Sequence, residues 1–304
     1  VEFEGFLIGD FSIARDLNSP LYNFAVAVDD FEMRISHVIR AEDHISNTPK
    51  QILIQEALGF PRPQYAHLPL ILGPDRSKLS KRHGASAVSE YRKSGYLSEA
   101  VVNFSAFLGW NPGGEREIYS MPSLIKEFSL ERVQKGGAVF NIKRLDFMNG
   151  FYIRQKSVDK LTELCLPYFN GKTEDFEYLK KIVAIYQERL KKISEIGELT
   201  DFFFKDKLEY QKELLRWKGA GDREISAALL NLEQILSKIK TEDWTKENLE
   251  KILMAEAEKM PDRGLLLWPL RVALTGKESS APPFEIAEIL GKEKTIKRLK
   301  EAKE

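Results

Sequence analysis

Cysteine is almost missing: Cys165 is the only one among 304 residues. A single thiol excludes an intramolecular disulfide and a cysteine-rich zinc site within these residues, so no zinc is expected. It reads as a buried apolar thiol in a reducing, cytoplasmic compartment. Histidine is scarce as well, with four residues. None stands in a visible nucleophile–base pairing, so no histidine is assigned a catalytic role. No apolar run reaches the roughly 18 residues that a membrane-crossing helix needs, so no membrane partner is expected. The amino terminus, Val1-Glu-Phe-Glu-Gly5, is acidic and has no basic segment of the kind that opens a secretory signal. It also has no initiator methionine, which fits a mature or truncated chain. Net charge is missing too, since 46 basic residues stand against 46 acidic ones. That balance does not exclude nucleic acid, because phosphate contacts depend on a local basic face.

What is present is an ordinary globular composition, 43% hydrophobic and 30% charged. The length predicts two or three domains. The first 73 residues read as mixed α/β. Phe24-Ala-Val-Ala-Val28 is a short apolar run flanked by Asp29 and Asp30. Ile35 to Ile39 alternates as a strand does, and His37 lies on it. Thr48 reads as a helix N-cap with Pro49 in the first turn, and the helix stops at Gly59. Leu68 to Leu72 reads as one more short strand, preceded by His67. Buried, hydrogen-bonded positions are expected for His37 and His67.

From residue 85 the pattern turns helical. Helices are expected over Val88–Tyr96, Ser98–Leu108 and Met121–Phe128, and the segment from Phe140 is expected to stop at Gly150. Leu179, Ile182, Val183, Tyr186, Leu190 and Ile193 follow helical steps with Lys and Glu between them. Ile225 to Ile239 repeats the pattern. Leu265 to Leu274 reads as a buried helix closing at Gly276, followed by two short helices hinged at Gly291. The shift to uniformly helical content near residue 155 marks a domain boundary.

The segment Pro74-Asp-Arg-Ser-Lys-Leu-Ser-Lys-Arg-His83 gathers Arg76, Lys78, Lys81, Arg82 and His83 against one acid, Asp75. Lys78 and Lys81 are three apart, with Ser80 between them. Mobile ammonium groups of this kind can follow charge onto a pyrophosphate leaving group. The alternative is a solvated basic loop.

Lys78-Leu-Ser-Lys-Arg82 resembles the Lys-Met-Ser-Lys-Ser signature of class I aminoacyl-tRNA synthetases. Tyr22-Asn-Phe-Ala-Val-Ala-Val-Asp-Asp30, His37-Val-Ile-Arg-Ala-Glu-Asp-His44, Ser46-Asn-Thr-Pro49 and Leu79-Ser-Lys-Arg-His-Gly84 resemble bacterial glutamyl-tRNA synthetases in order and spacing. Trp268-Pro-Leu-Arg-Val-Ala-Leu-Thr-Gly276 and Ile289-Leu-Gly-Lys-Glu293 resemble the end of that family. The resemblance implies glutamate–tRNA ligase chemistry, with ATP, L-glutamate and glutamate tRNA as partners and Mg2+ arriving with the ATP. It implies that Lys81, with Lys78, is catalytic and binds the ATP phosphates beside Ser80 and Asp43. It assigns Tyr22 and Arg40 to glutamate. A guanidinium suits a carboxylate because it binds in bidentate fashion. An ion pair of Arg40 with Glu42 or Asp43, and core packing of Tyr22, stay open as alternatives. Position 26 is Val, where some relatives carry a polar residue on the wall of the amino-acid pocket.

The family's His-Ile-Gly-His motif does not occur in this sequence. The expectation is therefore a C-terminal two-thirds of such an enzyme, inactive alone. Its fold would be an α/β N-terminal portion, the second half of a Rossmann-type catalytic domain, at residues 1–75. The loop and a helical stem-contact region would follow at 76–154, and an all-α anticodon-binding region at 155–304. Arg216, Trp217 and Arg223 pair an aromatic with cations and are candidates for stacking on unpaired tRNA bases. A snorkelling helix surface is the alternative. An isolated tRNA-binding module without catalysis is the second functional reading, and a monomer is expected.

Overall fold

The computed structural model describes residues 1–80, 87–171 and 175–303. The chain divides into two compact units, Val1–Glu90 with Ser98–Met148, and Tyr91–Leu97 with Asn149–Glu304.

In the first unit, α1 (Tyr22–Glu32) precedes β1 (His37–Ala41), α2 (Thr48–Leu58) and β2 (Gln64–Leu68). β1 and β2 are parallel, with Arg40 opposite His67 and Ala41 opposite Leu68. A parallel pair needs a crossover, and α2 supplies it, which makes a βαβ unit. The apolar run at 24–28 belongs to α1 and buries Ala27. Gly59 closes α2 at a φ of 69°, the left-handed position expected of it. Thr48 does not cap that helix. It is already helical, and its hydroxyl donates to the His44 carbonyl at 3.1 Å.

The single strand expected over 68–72 is two strands. β2 ends at Leu68 and β3 (Ile71–Leu72) begins after Pro69. Proline has no N–H for a ladder, and the next amide, Leu70, donates to Glu42 Oε1 at 3.1 Å. β3 pairs in parallel with β4 (Ala138–Val139). That pairing ties residues beyond the basic loop to the same unit as the βαβ piece. α3 (Val88–Lys93), α4 (Ser98–Ala106) and α5 (Met121–Glu127) lie between them in the chain. A core cluster of Trp110, Tyr119 and Leu124 holds the helical part, with Trp110 and Tyr119 edge-on at 5.6 Å.

α6 (Ile142–Arg154) runs through Gly150 instead of stopping there. A Cβ at that glycine would sit 3.3 Å from the Leu190 carbonyl. The residue marks a close approach, not a helix end. The second unit continues with α7 (Val158–Cys165), α8 (Phe176–Tyr186), α9 (Glu195–Leu199), α10 (Asp222–Lys238), α11 (Lys246–Ala257), α12 (Gly264–Thr275) and α13 (Pro283–Lys303). α10, α11, α12 and α13 pack on one another around Leu229, Leu232, Leu253, Leu270 and Leu299. α8 stops at Tyr186, well before Ile193. The Gln187 amide donates to the Ile153 and Lys156 carbonyls at 3.0 and 2.8 Å and fixes a 3-10 turn there. Leu190 and Ile193 are still buried, so helical spacing alone does not reveal the turn. Gly291, at φ 78° and ψ 164°, divides α13 into two helical stretches, as the hinge reading expects. Among the described residues, no helix is long and apolar enough to cross a membrane.

Candidate active site

Ligands of parallel α/β sheets gather at the carboxyl ends of the strands. Arg40 lies at that end of β1. Its Nη2 donates to Thr48 Oγ1 and to Gln51 Oε1, both at 2.8 Å. Thr48 and Gln51 are three residues apart on α2, so both face the strand. Gln51 Nε2 in turn donates to Asn23 Oδ1 on α1 at 3.0 Å. Arg40 also stands 5.4 Å from the centre of the Tyr65 ring. Its Nε is buried without a partner. Among the described residues, no carboxylate reaches ion-pair distance of Arg40. Glu42 is taken by the Leu70 amide and Asp43 by Lys78, so neither makes the structural pair considered from the sequence.

His67 Nε2 lies 3.0 Å from Thr48 Oγ1. The single Thr48 proton goes to the His44 carbonyl, so His67 is the donor and carries its proton on Nε2. Burial, and then the Arg40 charge, hold His67 below the usual imidazole range. Its neutral form fits that role. Burial pushes Asp30 up, while Arg40 pulls it back. His37 departs from expectation: it is exposed, with Nδ1 3.0 Å from Ser36 Oγ.

Tyr22 opens α1 and is half exposed, with its hydroxyl 3.4 Å from His44 Nδ1, so it is not a core residue. Lys78 Nζ meets Asp43 Oδ2 at 2.5 Å, and this bond holds Asp43 below the ordinary carboxylate range. The chain reaches Lys78 through a tight turn. Gly73 and Ser77 are bonded, Asp75 Oδ1 accepts from the Ser77 amide, and Arg76 has a φ of 61°. Lys78 bridges Leu72, and Ser80 follows, partly buried. Lys81 and the adjoining Arg82 and His83 lie outside the described residues. A cavity of about 570 Å³ opens beside Arg40 and Lys78, walled by Leu70, Leu108, Trp110 and Phe128.

Two family models match the chain. One, for the class I tRNA synthetase (E and Q) catalytic domain, covers residues 1–147. The other, for an anticodon binding domain, covers 160–303. The chain belongs to the class I glutamyl-tRNA synthetase family. It is 43% identical to the glutamate–tRNA ligase of Desulforamulus reducens, over 99% of this chain and 64% of that protein. It is 45% identical to glutamate–tRNA ligase 1 of Caldicellulosiruptor saccharolyticus, over 98% of this chain and 63% of the relative. The crystal structure of a glutamate tRNA ligase from Elizabethkingia meningosepticum, in complex with its amino acid, superimposes with a TM-score of 0.80 at 30% identity. That match covers 95% of this chain and 61% of that one. The chain thus spans just under two thirds of the length of these family members. Its βαβ piece is the second half of the family's Rossmann-type domain, and its all-α unit is the anticodon-binding region.

Arg216, Trp217 and Arg223 lie within the anticodon-domain match. Arg216 pairs with Asp222 at 2.8 Å. Trp217 follows a 3-10 turn, not a helix. Its ring covers Gly264, lies 5.2 Å from the Trp268 ring and carries Lys218 Nζ at 4.9 Å. Arg223 is exposed on α10. Sequence reasoning passed over Arg189 and Arg271. Burial lowers the pKa of Arg271, and so does the neighbouring guanidinium of Arg189. Its Nε is buried without a partner, and neither arginine makes an ion pair among the described residues. Thr48 and Gln51 were missed in the same way. Their signal was a polar pair at helical spacing, facing the strand that carries Arg40.

Proposed function

We propose that the chain serves a glutamate–tRNA ligase, which forms glutamyl-adenylate from glutamate and ATP and passes the glutamyl group to its tRNA. The observation that carries this reading is Arg40: a guanidinium fixed by neutral groups, without a carboxylate partner, at the carboxyl end of a parallel strand pair. In the first step an oxygen of the α-carboxylate bonds to the α-phosphorus of ATP, and the bond to pyrophosphate breaks. A guanidinium on that oxygen would weaken the nucleophile. Arg40 therefore suits the side-chain carboxylate, with Tyr22 closing over the amino acid.

Lys78, Ser80, Asp43 and Lys81 make the ATP side in this reading. Charge grows on the departing pyrophosphate, where the Lys78 and Lys81 ammonium groups stabilise it. Lys78 rests on Asp43, and the incoming phosphates displace that carboxylate. Mg2+ enters as part of the ATP complex. Residues 76–154 would touch the tRNA stem mainly at phosphates, which positions the molecule without reading it. The protein works in the cytoplasm, as a monomer. Glutamate-dependent exchange of pyrophosphate into ATP, by a protein that joins this chain to the family's His-Ile-Gly-His segment, is the test; the chain alone should give none. Arg40→Leu should raise the KM for glutamate by roughly 100-fold, and Lys81→Ala should lower kcat. Exchange that ignores glutamate would sink the reading.

Arg271, whose pKa is lowered by burial and by the Arg189 charge, and Arg189 make no ion pair among the described residues, and they favour a second reading: a tRNA-binding module without chemistry. Binding of glutamate tRNA with no exchange, even when the His-Ile-Gly-His segment is joined to the chain, would select it.

A further inference from the structure

We propose that Gln51, with Thr48, is a positioning residue that holds Arg40 in place while leaving its charge uncompensated, so that the ligand carboxylate is the counter-ion. The idea takes only its choice of ligand, glutamate, from the function proposed above.

An arginine can be oriented by carboxylates or by neutral acceptors. Carboxylates orient it more strongly, but they also neutralise it. Here both acceptors are neutral. Gln51 is 1% exposed and Thr48 7%, so water does not share their bonds to Nη2. Gln51 cannot be turned over: an arginine only donates, so the amide oxygen faces Arg40 and the nitrogen faces Asn23. The Thr48 hydroxyl is fixed in the same way by His44 and His67. Every hydrogen-bond direction around Nη2 is therefore determined.

The charged groups nearby keep the position vacant. Asp43 is held by Lys78 and Glu42 by the Leu70 amide. Asp30, on α1, feels Arg40 only at a distance. His67 bonds as a neutral ring. One isosteric change, Gln51→Glu, would place a carboxylate on Nη2 and fill the vacancy from within. Use of Gln instead of Glu at this position therefore sets the preference of the site for a carboxylate over a carboxamide.

The test uses the full chain and two variants, Gln51→Glu and Gln51→Met. An NMR titration follows the carboxyl group that Gln51→Glu introduces. Its midpoint should fall below the ordinary glutamate value of about 4.3, because the adjacent bare guanidinium outweighs burial. A midpoint at or above that value overturns the proposal. Calorimetric titration with L-glutamate and L-glutamine gives the second readout. Wild type should prefer glutamate. Gln51→Glu should lose that preference, with glutamate weakened by roughly 100-fold. Gln51→Met, which keeps the charge but frees the guanidinium, should weaken glutamate by roughly 10-fold, the worth of one charge-assisted hydrogen bond. Equal glutamate affinity in all three overturns the role of Gln51. If Gln51→Glu does not fold, the Gln51→Met binding result decides. A wild type that binds neither amino acid, while the introduced carboxyl titrates low, supports the vacant counter-ion position and overturns the glutamate assignment instead.

Discussion

Two arginines of this chain face opposite fates. Arg40 keeps a free charge beside a cavity, whereas Arg298 is 1% exposed and gives both terminal nitrogens to structure. Arg298 binds the carbonyls of Leu274, Phe202 and Lys205 at 2.5, 2.6 and 2.8 Å, which joins α12, the turn after α9 and α13. Arg298→Met removes one desolvated charge but strands three carbonyls. It should destabilise the C-terminal unit by roughly 3 kcal/mol, read from urea unfolding. The Lys78–Asp43 pair is exposed and calls for a titration, not a stability measurement. Its bond depresses the folded pKa of Asp43, so the interaction is present at neutral pH and fades as pH falls through that value. Lys78→Ala should return Asp43 to the ordinary carboxylate range by NMR; an unchanged Asp43 would refute the pairing in solution.

At the scale of elements, α12 shows how a helix start is fixed from outside its own span. Asp262 accepts from the Gly264 amide at 2.8 Å and from Lys218 Nζ at 3.0 Å. The amide bond comes first among the causes that hold Asp262 down at about pKa 2. A carboxylate at the first turn also complements the helix dipole. The folded value is depressed, so this contribution is complete above the unfolded pKa of roughly 3.9 and disappears towards pH ~2. Asp262→Asn should lower the Tm of the C-terminal unit at pH 7, and the difference from wild type should close at pH ~2. A constant difference across that range would mean the charge plays no part.

The same scale shows what the sequence could carry. α10 was legible because one face is apolar, and α12 because it is apolar almost throughout and a glycine closes it at φ 66°. The break at Pro69, the turn after Tyr186 and the passage of α6 through Gly150 were not. Each involves a distant partner: the Glu42 carboxylate, the Ile153 and Lys156 carbonyls that bind Gln187, and the Leu190 carbonyl. The site divides in the same way. Arg40, Lys78 and Asp43 stood in recognisable strings, whereas the acceptors that orient Arg40 become neighbours only when α2 packs beside β1. In the anticodon region a tryptophan between cations looked like a stacking platform. Its ring lies over Gly264, a contact that no local spacing announces.

For the whole molecule, zero net charge makes long-range attraction to a polyanion weak. Any affinity for tRNA must come from a few local cations, and Arg189 with Arg271 are the strongest candidates. Exchanging both for glutamine should weaken tRNA binding and reduce the slope of log affinity against log salt by about two. Fluorescence anisotropy at several potassium chloride concentrations measures that slope. An unchanged slope would place the contacts elsewhere.

The near-absence of cysteine also has a practical side. Cys165 is 0% exposed on α7, and burial pushes its thiol up to about pKa 12. A thiol so hidden and so weakly acidic should not react with an alkylating reagent while the helices around it stay closed. Because no other sulfhydryl competes, each molecule that is alkylated records one opening of the C-terminal unit. The chain thus carries its own single-site clock: labelling rate against urea would time the breathing of the anticodon-binding helices and stay silent about the catalytic half.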